Sequence, residues 1–332
     1  MNIEYMKSAK FVIENVFCVK PGEQVLIVAD TNKLEFVDPF MAAAYAVGAE
    51  PISMVMSPRT QPGESLPESI NAAIRSAQVV IGCVTYSIAA PLWENIKSDP
   101  PVETRGASIS NITRGIMMGG GLWADPEEVM NVTEGVYAIA TRATNWRVTT
   151  KAGTDLTAEI GECRIVERLP ISEPRMGGVL PGCEVALDPV LGTAEGVFYS
   201  DGSCGVLTSE RLGYGGVIKD PIKCIVKQGR IVEIEGGKEA DAFREILEGI
   251  DDPCAYMISH LAIGCNPNCK MSGDYINDEK ILAGVHIANS GTDGCPTANI
   301  DHCFQHPSLW LDGQQVIDDE TFVGPMASLQ PT

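Results

Sequence analysis

The first 145 residues alternate between helical patterns and short apolar runs. Apolar residues recur at helical spacing before a break at Pro21 and Gly22, and a nearly continuous apolar run, QVLIVA, follows at 24–29. Helices are predicted over 5–17, 40–47, 67–76 and 125–140, and strands over 24–29, 52–56, 79–84 and 107–112. Strands that alternate with helices in this way predict an α/β N-terminal domain with an open, mainly parallel sheet.

Beyond residue 145 the pattern changes to short β-rich segments that glycines separate. Strands are predicted over 147–150, 155–162, 197–199, 222–227 and 230–235, with one amphipathic helix over 239–248. We therefore expect an α/β domain over 1–145 and a β-rich α+β domain over 146–332. No GxGxxG motif follows a predicted strand, so a dinucleotide site has little support.

The charge of the chain limits its partners. Acidic residues outnumber basic residues by 44 to 24, and the formal net charge is -20. Such a chain would repel phosphate backbones and anionic lipid surfaces, which argues against nucleic-acid and membrane partners. No apolar stretch is long enough to span a bilayer, and residues 1–10 lack the pattern of an export signal. We expect a cytoplasmic protein that acts on a small-molecule substrate.

Eleven cysteines are scattered between Cys18 and Cys303. Their number is odd and nothing in the sequence indicates secretion, so a disulfide framework is not expected. We predict that most of these cysteines are reduced thiols.

The four histidines of the chain are clustered within 47 residues, as His260, His286, His302 and His306. Histidine is the side chain most used for metal ligation and for proton transfer near neutral pH, so the clustering indicates a chemical site. His260 and His286 are flanked by apolar residues, as in strands that bring a polar side chain to an inner edge. A lone histidine in such a strand is usually a structural core residue, whereas two favour a metal site.

Two carboxylates complete the predicted site. Asp301 occurs in ANIDHCFQH and Glu184 in LPGCEVALDP. Their ordinary roles would be a turn-forming aspartate and a solvent-facing glutamate. Together with His260 and His286 they would instead form a mixed nitrogen and oxygen site suited to Zn(II), Mn(II) or Fe(II).

Catalytic roles are also predicted for three residues near this site. Glu184, if it is not a metal ligand, could act as a general base. His302 and His306 follow Asp301 closely enough to supply a further ligand or to contact the substrate. Both histidines could equally be exposed and without a role in the site.

Six ordered motifs resemble the C-terminal half of the thermophilic-type metalloaminopeptidases. They are KAGTDLTAEIG at 151–161, LPGCEV and GTAEGVFYSDG within 180–202, SHLAIGCNP, DEKILAGVHIA at 278–288, and PSLWLDG. The motifs are equally similar to those of the related 2,5-dihydroxypyridine dioxygenases, and they cover residues 145–315. Both families are oligomeric, so the resemblance implies a homo-oligomer.

The resemblance implies ligand sets that differ between the two families. The aminopeptidases hold two metal ions with two glutamates, two histidines and an aspartate. Glu184, His286 and Asp301 match three of these ligands, whereas His260 replaces the second glutamate and Asn299 replaces the other histidine. The dioxygenases hold one ferrous ion with two histidines and an aspartate. His260 and Asp301 match two of those ligands, and Asn299 again stands where the second histidine belongs.

These matches leave three functions open. The preferred function is a metal-dependent hydrolase of an amide-type bond in a small or cyclic substrate, in which metal-activated water attacks the carbonyl. Glu184 and the segment VHIA at 285–288 favour this choice. The first alternative, favoured by His260, is a mononuclear Fe(II) dioxygenase that cleaves the ring of a hydroxypyridine-like substrate. The second alternative is a non-enzymatic small-molecule binding protein.

Overall fold

A computed structural model of the chain describes all residues except 1–2, 208–211, 214–215, 293–294, 296–298 and 331–332. The chain forms two compact units. Unit 1 contains residues 1–130 and 167–182, and unit 2 contains residues 131–166 and 183–332. The predicted domain limits, 1–145 and 146–332, stay a prediction.

Unit 1 is built around a parallel sheet, which confirms the predicted α/β architecture. Its strands are β1 (Gln24–Asp30), β2 (Glu50–Met56), β3 (Val79–Val84), β4 (Arg105–Ser110) and β7 (Gly177–Val179). They pair in the order β2-β1-β3-β4-β7, and all pairs are parallel. Strands β1 and β3 read as nearly continuous apolar runs because both faces of a parallel strand are buried.

The helices of the described chain are short or amphipathic. They are α1 (Met6–Phe11), α2 (Val37–Ala46), α3 (Glu68–Ser76), α4 (Ala89–Ile96), α5 (Arg114–Met117), α6 (Pro126–Ala140), α7 (Lys238–Ile250) and α8 (Tyr275–Asp278). Helix α4 and strand β7 were not predicted. The sequence of β7 is GGV, which has neither the length nor the alternation that identifies a strand.

Unit 2 is dominated by an antiparallel sheet, which confirms the predicted β-rich architecture. Its strands are β5 (Asn145–Thr149), β6 (Asp155–Ile165), β8 (Glu184–Pro189), β9 (Glu195–Ser200), β10 (Ile222–Lys227), β11 (Arg230–Glu235), β12 (Ile258–Gly264), β13 (Val285–Asn289), β14 (Ile300–Cys303), β15 (Ser308–Leu311), β16 (Gln314–Asp318) and β17 (Thr321–Phe322). The main order is β14-β13-β12-β8-β6-β5-β15-β16-β17. Strand β9 pairs with β6 and β10, and β10 pairs with β11.

One apolar core supports this sheet. Trp146, Phe198, Leu261 and Ile287 are fully buried in it, and α7 adds Phe243. These side chains come from strands that are distant in the sequence, so burial of apolar surface holds the sheet together. The core fixes the strands that carry the predicted donors.

The cysteines and the helices can be compared with their predicted roles. A disulfide, which was not anticipated, joins Cys254 to Cys295, while the other nine cysteines are free thiols. No helix in the described part of the chain has the length and apolar character needed to cross a membrane.

Candidate metal centre

Four adjacent antiparallel strands, β8, β12, β13 and β14, carry the predicted donors on one face. Directly opposite residues of antiparallel strands share a face, and the face repeats every second residue. His260 lies opposite Ala288, and Ala288 lies opposite Asp301. The repeat adds His286 to this face, and the pairing of β12 with β8 adds Glu184. The strand register therefore gathers all four predicted metal-binding residues.

The donor atoms of these residues lie close together around His286. His286 Nε2 lies 3.7 Å from Glu184 Oε2 and 3.9 Å from Asp301 Oδ1. His260 Nε2 lies 3.7 Å from the other oxygen of Glu184. Donor atoms of Glu184, His260 and His286 all lie within 4.8 Å of one another. All four side chains are buried.

Glu279 is a fifth candidate donor, which the sequence analysis missed. Its carboxylate forms a second group with His286 and Asp301, whose donor atoms also lie within 4.8 Å of one another. The two groups overlap at His286. Glu279 follows helix α8 rather than a strand, so no period-two pattern identified it. In the sequence it lies in the charged run DEK at 278–280, which ordinarily indicates an exposed turn.

Lys280 is the positive charge inside this cluster. Its side chain is only 1% exposed, and Nζ lies 2.7 Å from Glu184 Oε2 and 3.1 Å from Glu279 Oε1. A buried ammonium is costly to desolvate unless carboxylates compensate its charge. Lys280 therefore bridges one carboxylate from each donor group.

Asp188 and Arg164 extend the cluster on the far side of His260. His260 Nδ1 donates to Asp188 Oδ1 at 2.5 Å. The other oxygen of Asp188 accepts from Arg164 Nη2 at 2.9 Å and from Nε at 3.1 Å. Neither residue was singled out from the sequence.

Burial and neighbouring charges perturb the titration of the cluster. Burial acts to raise the pKa of Glu184, but the charges of Lys280 and the histidines hold that pKa well below its usual range. Burial alone would lower the pKa of His260, but the carboxylates of Asp188 and Glu184 raise it to about 10. Burial lowers the pKa of His286 to about 3. His286 is therefore neutral near pH 7.

The chemistry of the donors fits a divalent metal ion. A neutral imidazole such as His286 offers a lone pair, and imidazole with carboxylate oxygen suits iron, manganese and zinc. Burial raises the pKa of Asp301, with the Glu184 charge acting in the same direction. A cation at this face would offset the repulsion between the buried carboxylates.

The structure does not bring His302 or His306 to the donors. His302 lies opposite Ile287 and so points to the other face of the sheet. It is fully buried, contacts Ser200 Oγ at 2.9 Å and Asn289 Oδ1 at 2.8 Å, and burial lowers its pKa to about 3. The side chain of His306 is 64% exposed.

Asn299 stands where both resembling families carry a histidine. Its amide oxygen packs against Gly291, where a Cβ atom would come within 1.8 Å of it. The two histidines that lie among the donors are His260 on β12 and His286 on β13.

Comparisons with known proteins agree with one another. The profile of the NicX family, described as 2,5-dihydroxypyridine 5,6-dioxygenase, matches residues 10–324. The structure is similar to 2,5-dihydroxypyridine dioxygenase from Pseudomonas putida KT2440, with a TM-score of 0.77, 17% identity, and coverage of 98% of this chain and 99% of that chain. No curated protein sequence matches significantly.

A second solved structure extends this likeness. Wild-type AmpT from Thermus thermophilus matches with a TM-score of 0.63, 15% identity, and coverage of 97% of this chain and 99% of that chain. At these identities the two structures establish a shared fold. The predicted resemblance to a superfamily that includes both kinds of protein is confirmed.

Proposed function

The chain belongs to the NicX family of 2,5-dihydroxypyridine 5,6-dioxygenases, and from that membership we propose that it opens the ring of a hydroxypyridine-like substrate with molecular oxygen and one Fe(II) ion. The observation that carries the proposal is the donor group of Glu184, His260 and His286. Two imidazoles and one carboxylate with open positions are the ligand set of many non-heme Fe(II) oxygenases.

The family match overturns the preference for an amide hydrolase. That prediction was wrong because it gave most weight to Glu184 and the VHIA segment, which match the hydrolase branch. His260, which pointed to the dioxygenases, was the more informative residue. The family membership also identifies an enzyme, which removes the non-enzymatic binding protein from consideration.

We assign the iron to His260, His286 and Glu184, with Asp301 as a fourth ligand. Glu184 suits a ligand better than a general base, because Lys280 holds its carboxylate ionised and engaged at 2.7 Å. Bound Fe(II) would activate oxygen toward the electron-rich aromatic ring, which itself supplies the electrons that reduce the oxygen.

The remaining side chains of the centre prepare the site for that ion. Burial of the donors keeps water away from it, and the salt bridges of Lys280 prevent Glu184 and Glu279 from repelling each other. Asp188 holds His260 at a fixed ring orientation. We expect the substrate hydroxyl groups to take the positions that these side chains leave open.

Oxygen uptake tests the proposal. Protein reconstituted with Fe(II) in the absence of oxygen should consume O2 in equimolar amount with added 2,5-dihydroxypyridine. The product absorbance should show loss of the aromatic ring, with both oxygen atoms of labelled O2 in the product. Protein loaded with redox-inert Zn(II) is the control and should be inactive. Full iron occupancy without oxygen uptake on hydroxypyridines would contradict the proposed reaction.

A further inference from the structure

Asp188 is a partly buried carboxylate next to the proposed metal ligands. It lies on β8, four residues after Glu184, and so on the same face of the strand. Its Oδ1 lies 2.5 Å from His260 Nδ1. An ionised carboxylate can only accept a hydrogen bond, so the proton of this contact is on Nδ1. The second ring nitrogen, Nε2, faces Glu184 Oε1 at 3.7 Å.

Arg164 fixes the carboxylate of Asp188 from the neighbouring strand β6. Its Nε and Nη2 both donate to Oδ2 of Asp188, at 3.1 and 2.9 Å. This arrangement leaves Oδ1 for His260. The side chain of Arg164 is 41% exposed and that of Asp188 is 19% exposed, so the three residues connect the surface with the buried donors.

We propose that Asp188, held by Arg164, is a positioning residue that keeps the proton of His260 on Nδ1 and presents Nε2 to the metal ion. The inference rests on the proposed metal centre. Histidine ligands usually donate their other ring nitrogen to a carboxylate or carbonyl, and loss of that partner weakens metal binding about 10- to 100-fold. A purely structural ion pair would support the fold without changing metal affinity.

Metal affinity in Asp188→Ala separates these two roles. The dissociation constant for Co(II) is measured by competition with a chromogenic chelator, and the visible Co(II) spectrum reports the ligand geometry. We expect about 10- to 100-fold weaker binding and a changed spectrum. Asp188→Asn should recover part of the affinity, because the amide oxygen can still accept from Nδ1.

Asp155→Ala is the matched control. Asp155 also forms two hydrogen bonds with one arginine, because Arg147 Nε and Nη2 each donate to a different Asp155 oxygen at 2.7 Å. Both side chains of this pair are half exposed, and Asp155 pairs with β5 and β9, which carry none of the donors. Its removal should leave the Co(II) dissociation constant unchanged. If Asp188→Ala does not fold, Arg164→Met replaces it and should weaken Co(II) binding, because Asp188 then loses its clamp.

The outcomes distinguish the inference from the proposed function. A folded Asp188→Ala protein, or the Arg164→Met protein in its place, that binds Co(II) as tightly as the wild type overturns the positioning role alone. A wild-type protein that binds neither Co(II) nor Fe(II) overturns the proposed metal centre and, with it, the inference. Weaker binding confined to the Asp188 and Arg164 variants supports the proposal.

Discussion

His260 and His306 have opposite surroundings in the same unit. His260 is buried between Asp188 and Glu184, whereas the exposed ring of His306 lies 3.8 Å from Asp319. Carboxylates around a buried nitrogen balance the charge of a bound cation, but His260 must release its Nε2 proton before that cation can bind. The ring of His306 also has acidic neighbours, but it is exposed, so water competes for a cation there. The surroundings of a histidine, rather than its residue type, therefore decide whether it can bind a metal ion.

His260→Ala should lose bound iron while the fold remains. The substitution removes one nitrogen from the Glu184, His260 and His286 group, and two remaining donors hold a metal ion weakly. Iron content after anaerobic reconstitution and desalting measures the loss, and circular dichroism measures the fold. His306→Ala should keep its iron. Full iron occupancy in His260→Ala would remove this histidine from the site.

Asp201 should make stability fall as the pH rises. Burial raises its pKa from 3.8 to about 6, although Gln305 donates to it. Between about pH 4 and 6 the folded state holds a proton that the unfolded state releases, so stability decreases with pH by up to about 1.4 kcal/mol per unit. Above this window the loss is complete.

Asp201→Asn should remove that contribution. We expect the variant to gain stability over the wild type as the pH rises from 4 to 7, measured as the difference in free energy of unfolding in urea. The difference cancels titrations that both proteins share. A difference that is independent of pH would show that the burial of Asp201 does not perturb its carboxyl group.

The strands determine which of the predicted site residues lie on the same face of the sheet. The pairing of β12 with β13, together with the period of two residues along each strand, places His260 and His286 on one face. The clustering of the histidines in the sequence had already connected them. The same periodicity sends His302, one residue after Asp301, to the apolar core, where it packs between Phe198 and Phe243. Its proximity in sequence was misleading because adjacent strand residues face opposite sides.

Other residues near the centre could not be predicted in the same way. Glu279 and Lys280 follow a short helix, and their burial depends on the close approach of that turn to β12. A role for Asp188 could not be identified from the sequence, because only its neighbours across the sheet distinguish it from any other carboxylate in a strand. Pairing register is a long-range property, and it is absent from local patterns.

Gly264→Ala should disturb the metal centre through the backbone. A Cβ atom at Gly264 would lie 2.2 Å from the carbonyl oxygen of Ile281 and 2.6 Å from the carbonyl carbon of Lys280. Because both are backbone atoms, the turn carrying Lys280 has to move away from β12. We expect a loss of about 1–3 kcal/mol in the free energy of unfolding, together with a lower iron content.

Gly249→Ala is the control for this prediction. Gly249 lies in α7, and nothing is within 4 Å of a Cβ atom placed there. Alanine in a helix should leave stability unchanged or raise it by about 0.5–1 kcal/mol, with normal iron content. If both variants behaved alike, close packing at Gly264 would not matter to the site.

The two units differ in how well the sequence predicted them. The alternating β-α pattern of unit 1 predicted its parallel sheet, but the return of residues 167–182 to that sheet was missed because β7 has almost no pattern. In unit 2 the β-rich class was predicted, whereas the strand order was not. The homo-oligomer implied by the resemblance stays a prediction. Each of these properties depends on contacts between distant segments.

Added salt should stabilise the whole molecule. The formal net charge is -20, and folding brings these charges closer together, so their repulsion opposes the compact state. The screening length falls from about 30 Å at 0.01 M salt to about 10 Å at 0.1 M, so most of this repulsion is removed over that range. We expect the melting temperature to rise between these concentrations of sodium chloride, with chelator present to exclude metal binding. Near the acidic isoelectric pH, where the net charge vanishes, the same addition should have little effect. If the melting temperature at pH 7 did not change with salt concentration, local ion pairs would already offset the surplus of acidic charge.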